Sequence, residues 1–223
     1  MTTFSDWRAA LAALEDAHGL ASGHQRDVAD RLEVPLAGRE PRPVVDAMLQ
    51  DQFWGRLGHP PEPASARQRD YLDTLLVETI SEEQVWGQQH EATTATYLIS
   101  LRDEKTGQLL PLSWRRASAW IGHVLARRTM AALERLEPAP GDLVLCRRRF
   151  RRYYCPGDVR RKETHVVSSI SNTGRVNFKQ TQQSYQGWNP PARHAWPTDL
   201  EMIAPAEVLP ADADPQPGGW SAA

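Results

Sequence analysis

The chain has 223 residues, 40% apolar, 24% charged and 8% aromatic, with 26 Lys and Arg against 28 Asp and Glu for a formal charge of -2. That apolar content supports a core and is too high for a wholly disordered chain, and no uncharged apolar run approaches the ~20 residues that cross a membrane. Two cysteines, Cys146 and Cys155, exclude a disulfide-rich scaffold. Asp6, Arg8, Glu15 and Asp16 leave Met1–Leu20 without an apolar signal-peptide core, so the expected location is the cytoplasm.

Proline divides the chain. It clusters at Pro35–Pro43, Pro60–Pro63, Pro138–Pro140 and from Pro190 onward. Each proline removes a backbone donor and biases its predecessor toward extended geometry, so the clusters mark loops. The expected segments are residues 1–60, 61–137 and 138–210, with a flexible Pro-, Gly- and Ala-rich tail over 211–223. In the first segment Phe4, Trp7, Leu11 and Leu14 form one apolar stripe at helical spacing, and Val44, Val45, Met48, Leu49, Phe53 and Trp54 form another. Both stripes read as packing. In the second segment Ser65 with Gln68, and Ser81 with Gln84, have capping-box spacing and predict two helix starts. Ser113 opens a further helix, with Ala117, Trp120, Ile121, Val124 and Leu125 aligned, that Pro138 and Pro140 must stop.

Gln68-x-x-Tyr71-Leu72-x-x-Leu75, followed by Leu112-Ser113-x-x-x-Ala117-Ser118-x-x-Ile121, resembles a short helical module of actinobacterial and phage proteins. The resemblance implies attachment to proteins that process or bind nucleic acid. Its residues are caps and core positions rather than chemical groups. Val85–Leu101 reads as an insertion between its halves.

In the third segment Gly141-Asp-Leu-Val-Leu145 predicts a turn and a buried strand, and His165–Ile170 a second strand. Asn172-Thr-Gly174 predicts a tight turn, Arg175–Lys179 a return strand and Asp199–Ile203 a short closing strand. This order over Pro138–Pro205 resembles SH3-like small β-barrels of the KOW and Tudor kind. The expected fold class is therefore α+β, an α-helical N-terminal half followed by a small SH3-like β-barrel. The resemblance implies a binding module for nucleic acid, its machinery or peptides, and the fold alone does not choose among them.

The charge is segregated. Ser113–Lys179 holds 15 Lys and Arg against 5 Asp and Glu, while the remainder holds 11 against 23. A near-neutral sum therefore conceals a basic region able to steer an anionic partner. Its centre is one expected hairpin: Arg147, Arg148, Arg149, Phe150, Arg151, Arg152, Tyr153 and Tyr154 on the way out, Arg160, Arg161 and Lys162 on the return. Strand alternation sends Arg148, Phe150, Arg152 and Tyr154 to one face and Arg147, Arg149, Arg151 and Tyr153 to the other. Neither face can be wholly buried, because unpaired guanidinium groups are costly in a core. Arginine neutralises phosphates and aromatic rings stack on bases, and Arg175 and Lys179 follow nearby, so these thirteen residues are the candidate nucleic-acid site. Three other uses of the run stand open: a solvated face, docking on the chain's own acidic segment, and an acidic protein partner.

Other chemistry has little support. Cys146 and Cys155 can face each other across the hairpin if its register allows, but in a cytoplasm they stay reduced. Their spacing does not suit structural zinc. His90-Glu91 lacks the second histidine of a zinc protease, and neither a phosphate-binding lysine loop nor a Gly-x-Ser-x-Gly elbow occurs. The expectation is a non-catalytic nucleic-acid-binding accessory protein with no cofactor and no metal, no membrane contact, and a possible protein partner or self-association. The alternatives are a protein–protein adaptor, for which eight tryptophans and many arginines suit interface hot spots, and an enzyme whose site assembles only in three dimensions.

Overall fold

Capping chemistry marks where three of the helices begin. The structure, a computed structural model, describes residues 2–86, 101, 105, 111–150, 159–179 and 193–206. Its helices are α1 (Trp7–His18), α2 (Gly23–Leu32), α3 (Arg42–Arg56), α4 (Ala66–Trp86) and α5 (Trp114–Leu136). Ser22 Oγ accepts from Gln25 N–H at 3.1 Å, and Gln25 Oε1 accepts from Ser22 N–H at 2.9 Å, a capping box that opens α2. The Ser65–Gln68 pair does the same for α4, at 3.2 and 3.1 Å. Ser113 Oγ accepts from Arg116 N–H at 3.1 Å at the start of α5. Past the end of α5, Glu137 takes the left-handed conformation, φ 43°, before Pro138.

Two helix expectations fail. Ser81 with Gln84 starts no helix, because α4 runs unbroken from Ala66 to Trp86. A cap signal is local, and here the stripe of Leu72, Leu75 and Leu76, each at most 3% exposed, sits in the middle of a continuous helix. Phe4 belongs to a strand, β1 (Thr3–Phe4), and not to the α1 stripe. Its backbone pairs with Ile170 of a distant strand, a partner that local periodicity does not reveal.

The chain divides into two units, Asp16–Arg128 and the combination of Met1–Glu15 with Thr129–Ala223. The first is helical. Its core joins Val44, Leu72, Leu75, Leu76, Leu112, Ala117, Trp120 and Val124. Ala117 is fully buried in this core, and Gln68 Nε2 on α4 donates to Ser118 Oγ on α5 at 3.1 Å.

The second unit is built on a sheet of β1, β2 (Leu143–Phe150), β3 (Val159–Ser171), β4 (Val176–Phe178), β5 (His194–Ala195) and β6 (Leu200–Ala204). Adjacent strands are antiparallel in the order β5-β4-β3-β2-β6, with β1 added to β3, and a 3-10 turn at Pro197–Asp199 precedes β6. Asp142, 3% exposed, ties the start of β2 in place by accepting from Ala139 N–H at 2.7 Å and Ala206 N–H at 2.8 Å. The turn into β4 needs Gly174, whose φ is 79°.

This is α+β, and the sheet is open where a closed barrel was expected. Its path ends at β5 on one side and β6 on the other. The reason lies in the core, where Ala10, Leu14, Met130 and Leu133 join Val144, Cys146, Val167, Ile170, Val176 and Phe178. Helical side chains cover apolar surface that a barrel would cover by closing on itself. No helix among the described residues is long and apolar enough to cross a membrane.

Candidate nucleic-acid interface

The arginine-rich run begins where β2 leaves the core. Val144 and Cys146 are buried, at 0% and 1% exposure, and the residues from Leu143 to Cys146 pair with β3 on one side and β6 on the other. From Arg147 to Phe150, β2 pairs only with β3 among the described residues. The basic stretch is thus a two-stranded ribbon extending from the sheet. Its register sets Arg147 opposite Lys162, Arg148 opposite Arg161, Arg149 opposite Arg160 and Phe150 opposite Val159. Three successive cross-strand positions therefore carry like charges, an arrangement that disfavours pairing unless an anion or solvent compensates.

Arg151, Arg152, Tyr153, Tyr154 and Cys155 lie outside the described residues. Cys146 has Glu163 and Leu200 as its cross-strand partners, so the expectation that it faces Cys155 across the hairpin is not met: the register of β2 on β3 commits that position to Glu163.

Arg175 and Lys179 do not join the ribbon. Arg175 sits beside Ser171 at the far end of β3, its carbonyl accepting from Ser171 N–H at 2.8 Å. At ~3.3 Å per strand residue this is roughly 30 Å from Lys162. Lys179 is exposed midway along β3, where its N–H donates to Val166 O at 2.8 Å.

Around Arg175 the structure assembles a group that sequence reasoning missed. The Arg175 guanidinium lies 4.6 Å from the centre of the Trp196 ring, and its Nη1 is 3.4 Å from His194 Nε2. Asn177 has His194 as its cross-strand partner on β5 and donates from Nδ2 to Ser169 Oγ on β3 at 3.0 Å. Alternation explains the grouping: Val176, Phe178 and Ala195 point into the core, so Arg175, Asn177, His194 and Trp196 share the opposite face. The signal available in the sequence was the spacing Arg175-x-Asn177 and His194-x-Trp196. The intervening residues hid the pairing.

The helical unit holds a different cluster. His18 and His123 stand with ring centres 5.9 Å apart, and Trp120 meets His123 edge-on at 5.9 Å. Neither histidine Nδ1 makes a hydrogen bond among the described residues. Burial, then the neighbouring His18 and Arg127, lower the His123 pKa to about 3, and burial lowers that of His18. Burial thus disfavours the charged form of both rings.

At the start of α5, Asp51, 8% exposed, accepts a short hydrogen bond from Ser113 Oγ and lies 3.4 Å from Arg115 Nη1. A carboxylate here compensates the helix's positive end. Beside it is a shallow groove of about 340 Å³ whose walls include Asp46, Gln50, Trp114, Arg115 and Ser118. Compared with known proteins, the chain matches no family model, no curated protein and no solved structure.

Proposed function

We propose that this chain is a non-catalytic nucleic-acid-binding accessory protein whose β2–β3 ribbon holds a phosphate backbone. The observation that carries the reading is the register of like-charged positions in the ribbon, Arg147 on Lys162, Arg148 on Arg161 and Arg149 on Arg160. Each such pair opposes the ladder that holds it, and a polyanion laid along the ribbon converts that opposition into attraction. A two-stranded ribbon is also one of the elements that fits the major groove of a duplex. Phosphate contacts position without reading bases, so little sequence preference follows. The likeness of residues 138–205 to SH3-like small barrels belongs to the same proposal. It is supported by the antiparallel run from β2 to β5 and the return of β6 to pair with β2.

The test is fluorescence anisotropy with a labelled duplex at several salt concentrations. Affinity should fall steeply with salt, and R147S/R148S/R149S should lower the slope of log K against log salt by roughly 2–3. Absence of binding at ~50 mM salt, where electrostatic binding is strong, overturns the proposal.

A second reading, assembly with further copies of the chain, is favoured by Phe53, Trp54 and Leu57 on and just after the last turn of α3. They are 51%, 41% and 56% exposed, and clustered exposed apolar residues mark interaction surfaces. Sedimentation of the native chain against F53S/W54S decides it: a concentration-dependent oligomer that the variant lacks supports the reading, and a monomer in both removes it.

A further inference from the structure

The face of the sheet that carries Arg175, Asn177, His194 and Trp196 lies far along β3 from the ribbon and has its own chemistry. We infer that it is a platform for an unpaired base of single-stranded nucleic acid, with Trp196 and the neighbouring Arg175 guanidinium as the binding surface. The inference rests on the reading of this protein as a nucleic-acid binder and adds which form it takes.

Charge complementarity is the first argument. No Asp or Glu occurs between Glu163 and Asp199, a stretch that contains β4, β5 and most of β3. Within it Arg175, Lys179 and Arg193 are fixed cations, the last two exposed. This stretch of the chain thus carries three cations and no carboxylate, a balance that favours an anionic occupant.

Stacking is the second argument. Trp196 is 38% exposed, although large rings are usually buried. Pro197, itself buried, follows it and holds Trp196 extended at φ -76° and ψ 144°, so the backbone beneath the ring is fixed. Arg175 over that ring adds a second planar, cationic surface, and bases stack on both aromatic rings and guanidinium planes. Hydrogen-bonding capacity is the third. Asn177 gives one N–H to Ser169, and its amide has a carbonyl oxygen and a second N–H besides. An unpaired base offers both its face and its hydrogen-bonding edge, whereas a paired base within a duplex has its faces covered. Unpaired strand is therefore the occupant that uses the ring.

The test uses the full chain, a labelled oligothymidylate, an abasic strand of equal length, a duplex and a polyglutamate of similar charge, all by anisotropy at fixed salt. W196L replaces the ring with an apolar side chain lacking a π face, and W196F keeps a ring. Loss of one base–ring stack should weaken oligothymidylate binding about 5- to 150-fold in W196L. W196F should recover part of that loss, and affinities for the abasic strand and the duplex should not move. Thermal unfolding of both variants checks that the sheet persists, and R175Q supplies an independent perturbation if W196L does not fold.

Equal oligothymidylate affinity in native, W196L and R175Q overturns the platform while leaving the ribbon reading to R147S/R148S/R149S. Equal losses on the abasic strand or on polyglutamate show a charge effect without stacking and also overturn it. Loss in W196L with native binding in the ribbon variant supports the platform and removes the ribbon from the proposed function. A native chain that binds none of the nucleic acids overturns both.

Discussion

His123 makes the helical unit acid-sensitive. It is 7% exposed, stands beside His18 and Trp120, and its pKa is lowered to about 3 by burial, His18 and Arg127. In the unfolded chain the same ring titrates near 6.5. Because the folded pKa is the lower one, the unfolded state binds the extra proton between these values. Stability from this group is therefore complete above about pH 6.5 and is lost as pH falls toward about 3. The slope approaches ~1.4 kcal/mol per pH unit, which amounts to roughly 2 kcal/mol between pH 7.5 and pH 5 for His123 alone. His18 shifts in the same direction and adds to the loss. Urea unfolding followed by circular dichroism at those two pH values measures the difference. H123L fills the site without a titrating nitrogen, and the native Nδ1 makes no hydrogen bond among the described residues that leucine would forfeit. The variant should lose about 2 kcal/mol less than the native chain over this interval. Carboxylates titrate alike in both proteins and cancel in the comparison. Equal losses in native and H123L would show that the ring is solvated, and the reasoning from burial would be wrong.

Two other substitutions probe the packing. At Gly174 a Cβ would lie 2.5 Å from Thr129 Cγ2 and 2.9 Å from Leu14 Cδ1, with φ at 79°. G174A combines left-handed strain of ~1–2 kcal/mol with overpacking of ~1–3, so thermal unfolding should show a loss of about 2–5 kcal/mol, and an unchanged Tm would contradict this close approach. D51A removes the acceptor for Ser113 Oγ and the charge near Arg115, both at the start of α5. The cost of leaving such groups unsatisfied is ~1–3 kcal/mol, or roughly 2–4 °C in Tm for each kcal/mol, and D51N, which keeps one carbonyl acceptor, should lose less.

The legible parts of the fold are those whose cause is local. Ser65, Gln68 and Ser113 act as caps because a side-chain oxygen three residues ahead of a helical N–H needs no distant partner. Gly174 and the strands on either side of its turn follow from turn chemistry and alternation. The Ser22–Gln25 box has the same signature and opens α2 within the N-terminal half that is expected to be helical. Phe4 and Ser81 show the limit: periodicity and cap spacing are necessary signals whose outcome is decided by the residues they meet.

The sequence by itself determined where cations concentrate, which prolines stop helices, and that a basic hairpin cannot be wholly buried. Those conclusions depend on composition and near-neighbour spacing. Only the tertiary structure decided that β1 and the part of α1 up to Glu15 belong to the same unit as the C-terminal strands. It alone set Arg147, Arg148 and Arg149 opposite Lys162, Arg161 and Arg160, and separated Arg175 from them to stand with Trp196 and His194. Strand register is fixed by the whole buried face, here Val144, Cys146, Val167 and Ile170, because a one-residue slip would turn every one of those side chains toward water.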